Sequence, residues 1–406
     1  MKTFWKIWLF ILPFFLPLYV VRFNLGPLPT TLLEIFILVS FILWLVNKIK
    51  ENNLLHFIKG SIKCRWFWPI VVWLAVTLIA VFISPEKLGA LGYWRAFMLE
   101  PILVFVMLGG LIPPAPLTKG GVDSKKALMF GIAAVTIMLG VYSIIQYFTG
   151  FGIPSPWDTI PGRRATGIFG FPNGLSLFMA PFGIACFIQW LQKVWEGENL
   201  SFRIIFLIAT AFAGVAEILA QSMGGLLALG IGLVLALLIK KNTRKIGLAV
   251  TAIGIVAAGV VGFKILSTQL KSTGLNDSLA LNKRWSSMVR TVIWSESWEL
   301  IKTHPFTGTG LRSYQTAIIP FHKATWMEIY PHPHNIILML WIETGLLGLL
   351  AFVWLCVTWI GLVKKNRSWL WLIPLIIILA HGMVDIPYFK NDLAMQFWIL
   401  AALATL

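Results

Sequence analysis

The chain has 406 residues, 58% of them hydrophobic and only 12% charged, with a formal net charge of +17. That much apolar surface exceeds what a water-soluble core of ordinary size can bury, so lipid must be the solvent. The positive charge sits in short clusters between apolar runs, which is the pattern of topology control; no nucleic-acid partner is expected.

A spanning helix needs about 20 mostly apolar residues. Lys2 and Lys6 precede an apolar run that ends near Val21, contains Pro13 and Pro17, and exits at Arg22. No small-residue cleavage site follows, so this run is expected to be an uncleaved anchor rather than a signal peptide. Further runs continue the series: 4–21, 28–46, 67–83, 97–113, 127–149, 168–190, 202–219, 222–239, 246–265, 334–362, 369–386 and 391–406. The expectation is therefore an all-α polytopic membrane protein with about twelve transmembrane helices. Only Ala220 and Gln221 separate the seventh run from the eighth, so a re-entrant pair is the alternative there. Basic clusters at Lys48 to Arg65, Lys119 to Lys126, Lys240 to Lys245 and Lys364 to Arg367 fall on the side of both termini, which are expected in the cytoplasm. Cys64, Cys186 and Cys356 lack Cys-x-x-Cys or Cys/His spacing, so neither a disulfide nor zinc is expected.

The chain divides into 1–265, carrying spans one to nine, an extracytoplasmic segment over 266–333, and 334–406, carrying spans ten to twelve, all one integral unit. Within the long segment, Trp285, Met288, Val289, Val292 and Ile293 recur near helical spacing, followed by Trp294, Trp298 and Ile301. This predicts an amphipathic helix from Arg284 to Thr303, stopped by His304-Pro305 and the Gly308-Thr309-Gly310 turn, with its Trp-rich face on headgroups or on the bundle.

The densest polar signal is Pro331-His332-Pro333-His334-Asn335 at the start of span ten, followed by Glu343 and Gly345-Leu346-Leu347-Gly348. Histidine is the side chain suited to general-base work near neutrality. His334-Asn335, nine residues, then Gly345-x-x-Gly348 resembles the pattern of the O-antigen ligase and O-antigen polymerase family, membrane glycosyltransferases that use polyprenyl-diphosphate-linked sugars. Arg163-Arg164-Ala165-Thr166-Gly167 with Phe171-Pro172-Asn173-Gly174 is similar to that family's Arg-Thr-Gly, Pro-Asn element. Arg284-x-x-x-Met288 through His304-Pro305-Phe306-Thr307-Gly308-Thr309-Gly310 resembles its outer-loop stretch. Where the family usually has Ser-Arg-Gly, this chain reads Gln221-Ser222-Met223-Gly224-Gly225, so no charged role is expected there.

The resemblance implies an enzyme of the bacterial cytoplasmic membrane with its active site on the extracytoplasmic face. It would move a glycan from undecaprenyl diphosphate to an acceptor hydroxyl on a lipid, glycan or protein. His334 would take the hydroxyl proton. Arginine carries a permanent charge and a fork matched to phosphate, so Arg164, Arg163 and Arg312 are expected on the leaving diphosphate, and inversion at the anomeric carbon should follow. Arg95, Arg284, Arg290, His332, Asn335 and Asn173 are further substrate-binding candidates. Arg312 ranks high because a glycine turn lets backbone amides approach a phosphate or sugar. Asp385, after span eleven, would help close the acceptor side, and Glu343 would lie within the membrane in a packing or protonated hydrogen-bonding role.

No paired acids of the Asp-x-Asp kind occur on the outer side and no phosphate-loop motif appears, so metal independence and no cofactor are expected. Membrane lipids are the surroundings, and a monomer is the default. Three alternatives remain: a polysaccharide polymerase or protein O-oligosaccharyltransferase of the same family, a relative of the peptidoglycan-polymerising membrane enzymes, and a lipid-linked sugar flippase or transporter. A transporter would place its polar groups near mid-membrane on broken helices, often in two related halves.

Overall fold

A computed structural model describes residues 2–26, 28–109, 111, 121–160, 162–196, 199–253 and 278–405. It is helical almost throughout. Helix α1 (Lys2–Phe15) continues through a 3-10 turn to a two-stranded antiparallel hairpin, β1 (Arg22–Leu25) and β2 (Leu28–Thr31), with Arg22 opposite Thr31. The helices α2 (Leu32–Lys50), α3 (Leu54–Ile62), α4 (Phe67–Ile83), α5 (Lys87–Trp94), α6 (Glu100–Met107), α7 (Gly121–Thr149), α8 (Pro172–Trp195), α9 (Leu200–Ala220) and α10 (Met223–Ile239) follow. Then come α11, described over 241–253, and α12 (Ser278–Thr303), α13 (Tyr314–Ala317), α14 (Ile336–Asn366), α15 (Ile373–Gly382) and α16 (Asn391–Thr405).

Among the described residues, seven helices are long and apolar enough to cross a membrane, and α3 with α4, bent by 88°, would make an eighth. The chain is thus an all-α polytopic membrane protein. Helix α10 and the stretch Trp369–Gly382 are shorter apolar helices. Every residue of α16 is buried, so this helix meets protein rather than lipid on all sides. The second half of the expected ninth span lies outside the described residues. The expected fourth span begins earlier than its apolar run, at Lys87, and passes through a π-helical stretch at Arg95–Leu99. Pro101 has no N–H to give to the turn before it and its ring crowds the carbonyl four residues back, which is where the helix widens.

Small residues let the helices approach closely, as packing in lipid requires. A Cβ on Gly183 of α8 would stand 2.5 Å from Ala213 of α9, and one on Gly131 of α7 would collide with the Phe10 carbonyl of α1. Glycines also lock the 304–310 segment onto α14. Helix α14 bends at Gly345, whose φ of 69° is non-helical. Any Cβ there would collide with the Phe306 carbonyl, and a Cβ on Gly308 would come within 2.5 Å of the Ile342 carbonyl. Thr309 N–H donates to that carbonyl at 2.7 Å, and Trp341 Nε1 donates to the Pro305 carbonyl at 2.7 Å. The buried Glu343 carboxyl lies against the backbone of Arg312, Ser313 and Tyr314. Gly345→Ala should therefore destabilise the protein by about 1–3 kcal/mol, from strain plus the clash. An unfolding temperature in detergent unchanged from the parent would contradict that packing.

Candidate active site

Four chain reversals meet at one end of the bundle: α7 to α8, α9 to α10, the approach to α14, and α15 to α16. Their polar residues assemble the site. Asn335 caps α14: its Oδ1 accepts from the Ile337 and Leu338 amides at 2.9 and 3.1 Å, and its Nδ2 donates to the Met383 carbonyl at 3.1 Å. That contact ties the start of α14 to the turn after α15. His334, immediately before the cap, has φ of +48°, a left-handed conformation that a non-glycine residue adopts only when its surroundings hold it there. The Pro333 carbonyl accepts from Trp294 Nε1 of α12 at 3.0 Å, which helps to fix it.

The His334 imidazole presents Nδ1 to Oδ1 of Asp385 at 3.4 Å. Asp385 is 4% exposed. Its Oδ2 accepts from Asn173 Nδ2 at 2.7 Å and its Oδ1 from the Ile386 amide at 2.9 Å. Burial works to raise this carboxyl, but His334, with His332 and His381 nearby, outweighs it and holds Asp385 below the usual carboxylate range. Asp385 is therefore ionised at neutral pH. The His332 ring packs edge-on to His334 at 4.4 Å; burial, then its neighbour His334, push it down to about 4, so it stays uncharged at neutral pH.

The two sequence-adjacent arginines have different surroundings. Arg163 donates to the Tyr147 and Phe148 carbonyls at 3.0 and 3.2 Å and so caps the C-terminus of α7. Arg164 donates Nε to the Ala220 carbonyl at 2.8 Å, with its guanidinium 5.0 Å over the Trp157 ring. Burial and then Arg290 work to lower the Arg164 value, so two guanidiniums are close enough to repel. Arg290 donates Nε to the Val384 carbonyl at 3.0 Å, next to Asp385. Gln146 of α7 holds the segment that follows Arg164: its Oε1 accepts from the Thr166 and Gly167 amides at 3.1 and 2.8 Å.

The remaining candidates sit elsewhere or serve other contacts. Arg95 bridges Glu34 at 2.6 Å and Glu100 at 3.2 Å, and Arg312 pairs with Glu86 at 3.1 Å. The side chain of Arg284 lies outside the described residues. Asn173 and Asn335 hold Asp385 and the α14 cap. Gly224 and Gly225, in the element without arginine, leave room for His381 and for the Ser176–Glu217 pair. Two roles emerge only in three dimensions, that of Asp385 as the partner of His334 and that of Gln146 as the holder of the segment after Arg164.

Behind this end, α12 is clasped by His322. Its Nδ1 faces Glu296 Oε2 at 3.1 Å and its Nε2 faces the Met327 carbonyl at 3.1 Å, so both nitrogens meet acceptors and the imidazolium is favoured. The hydrogen bond to Glu296 raises His322 above 6.5. A raised value means that the clasp stabilises fully below the unfolded value and is lost as pH rises through the folded one. Amide protection factors over 322–327 should fall across that range, and protection that grows with pH would contradict the clasp.

The geometry defines a polytopic membrane protein with a His–Asp pair and neighbouring arginines at one end of its bundle. Residues 208–353 match the sequence model of the O-antigen ligases. Similar sequences include proteins provisionally named polysaccharide ligases. One from Rickettsia conorii is 21% identical over 264 residues, covering 62% of this chain and 58% of its own length. One from Rickettsia bellii is 26% identical over 260 residues, covering 55% of this chain and 62% of its own. The chain thus spans about three fifths of the length of these relatives. The family match takes in His334 and Gly345, whereas Arg164 and Asp385 lie outside it.

Proposed function

We propose that the protein is a glycosyltransferase of the bacterial cytoplasmic membrane, working at the extracytoplasmic face. It moves a glycan from undecaprenyl diphosphate to an acceptor hydroxyl in the manner of a polysaccharide ligase. The observation that carries this reading is the His334–Asp385 pair with Arg164 and Arg290 around the adjoining turn. With Nδ1–H directed to the Asp385 carboxylate, His334 keeps the Nε2 lone pair for the acceptor proton. The acceptor oxygen bonds to the anomeric carbon as the bond from that carbon to the diphosphate oxygen breaks. The diphosphate leaves with the electron pair, and the arginines stabilise its charge in the fork geometry that suits phosphate oxygens. Helices α8, α10, α14 and α16 all begin at this end, so their dipoles also favour the anion. A single displacement requires inversion. An α-linked diphosphate donor should give a β-linked product by proton coupling in NMR, with no loss of rate in a chelator; an α-linked product would exclude this mechanism.

A further inference from the structure

His332 and Asp385 border a cavity of about 470 Å³, walled by the 3-10 turn after α1, β1, the 168–171 segment and the 385–391 turn. Its lining includes Arg22, His332, Asp385 and Lys390, and neither Arg164 nor Arg290. Lys390 is held in an aromatic cage, its Nζ 4.9, 4.4 and 5.3 Å from the ring centres of Tyr19, Phe169 and Phe171. It faces Asp392 Oδ2 at 3.4 Å. An ammonium has three donors, so this single carboxylate contact leaves donors for a ligand. Arg22, on the exposed β1, makes no side-chain hydrogen bond among the described residues. The cavity's own carboxylate is already engaged, since both Asp385 oxygens accept from Asn173 and the Ile386 amide. Among the charged groups that line the cavity, the ones with donors left for a newcomer are therefore Lys390 and Arg22, set among aromatic rings on which a sugar ring can lie.

We infer that this cavity is the acceptor pocket, and that the acceptor it takes is a sugar carrying an anionic substituent, a phosphate or a carboxylate, held by Lys390 and Arg22. The inference rests on the transferase reading, because a two-substrate reaction needs a second site beside the base. A cavity bordered by His332, whose ring touches that of His334, but not lined by the arginine pair, meets that need. The acceptor hydroxyl would point past His332 to His334, while the donor diphosphate lies with Arg164 and Arg290.

Binding and transfer are tested separately. In phosphatidylcholine nanodiscs, saturation-transfer NMR should show the full chain binding glucose 6-phosphate and not glucose. Arg22→Gln and Lys390→Met should each weaken that binding at least fivefold, and Arg164→Gln should leave it unchanged. Lys390→Met also strands Asp392, so Arg22→Gln is the variant that stands if the other misfolds. Equal binding of glucose and glucose 6-phosphate, or loss of binding in Arg164→Gln, overturns the pocket. Loss of the discrimination when phosphatidylglycerol replaces part of the lipid assigns the cavity to a lipid headgroup instead. In transfer assays, Arg22→Gln should raise KM for a phosphorylated acceptor and not for the donor, and the reverse overturns the assignment. Binding of the sugar phosphate by an intact chain that transfers nothing would sink the transferase reading, and the acceptor role with it, while leaving an anionic-sugar site.

Discussion

His334→Ala should lower the initial rate of glycan transfer by about 10²- to 10⁴-fold, the range that a positioned general base contributes. The unfolding temperature should stay close to that of the parent, because the α14 cap is made by Asn335 and the backbone tie by Pro333. Asp385→Asn keeps the shape of the carboxyl but removes the charge that favours the imidazolium formed as the proton arrives. Its loss of rate should be smaller than that of His334→Ala, and the pH at half-maximal rate should move. A purely structural defect would lower the rate at every pH without moving the profile.

Arg164→Gln should cost about 10²- to 10³-fold in kcat, the usual loss when one preorganised group facing developing charge is removed. Two guanidiniums held near each other at a partly buried site repel, and an anion between them relieves that repulsion. Arg290→Gln should produce a similar loss, and the double variant less than the product of the two, because both act on one leaving group. Arg164→Lys should rescue little, since a lysine supplies a point charge without the fork that reaches both the Ala220 carbonyl and a phosphate. By contrast, Arg312 is half exposed and paired with Glu86 on the surface, an interaction worth about 0–1 kcal/mol. A kinetic measurement in which Arg164→Gln retained the parental kcat would remove the diphosphate clamp from the account.

The membrane class and the His334 and Arg164 motifs were legible because they are written locally, in apolar runs and in short spacings. The partners of those residues were not. Asp385 is separated from His334 by α14 and α15, and only the turn after α15, folded back against the α14 cap, brings them together. Sequence ranks Arg163 and Arg312 beside Arg164 as phosphate candidates, ahead of Arg290. The fold distinguishes them by partner: Arg163 is spent on the last carbonyls of α7, Arg95 on Glu34 and Glu100, and Arg312 on Glu86. The Gly308 to Gly310 turn reads in sequence as a place for backbone to approach phosphate. In the structure the space that those glycines open is filled by the Ile342 carbonyl and the backbone of Ser84. Lys390 carried no sequence signal, since its significance lies in three rings drawn from the turn after α1 and the 168–171 segment.

On this reading, this end of the bundle joins a glycan to an acceptor rather than carrying it across the bilayer. Proteoliposomes holding the full chain, given a polyprenyl-diphosphate glycan and an acceptor on the face bearing His334, test it directly by mass spectrometry of the acceptor. Glycosylated acceptor and released polyprenyl diphosphate should appear in equal amounts, with both lost in His334→Ala. Movement of the intact donor to the opposite leaflet, with no covalent product and no dependence on His334, would contradict it.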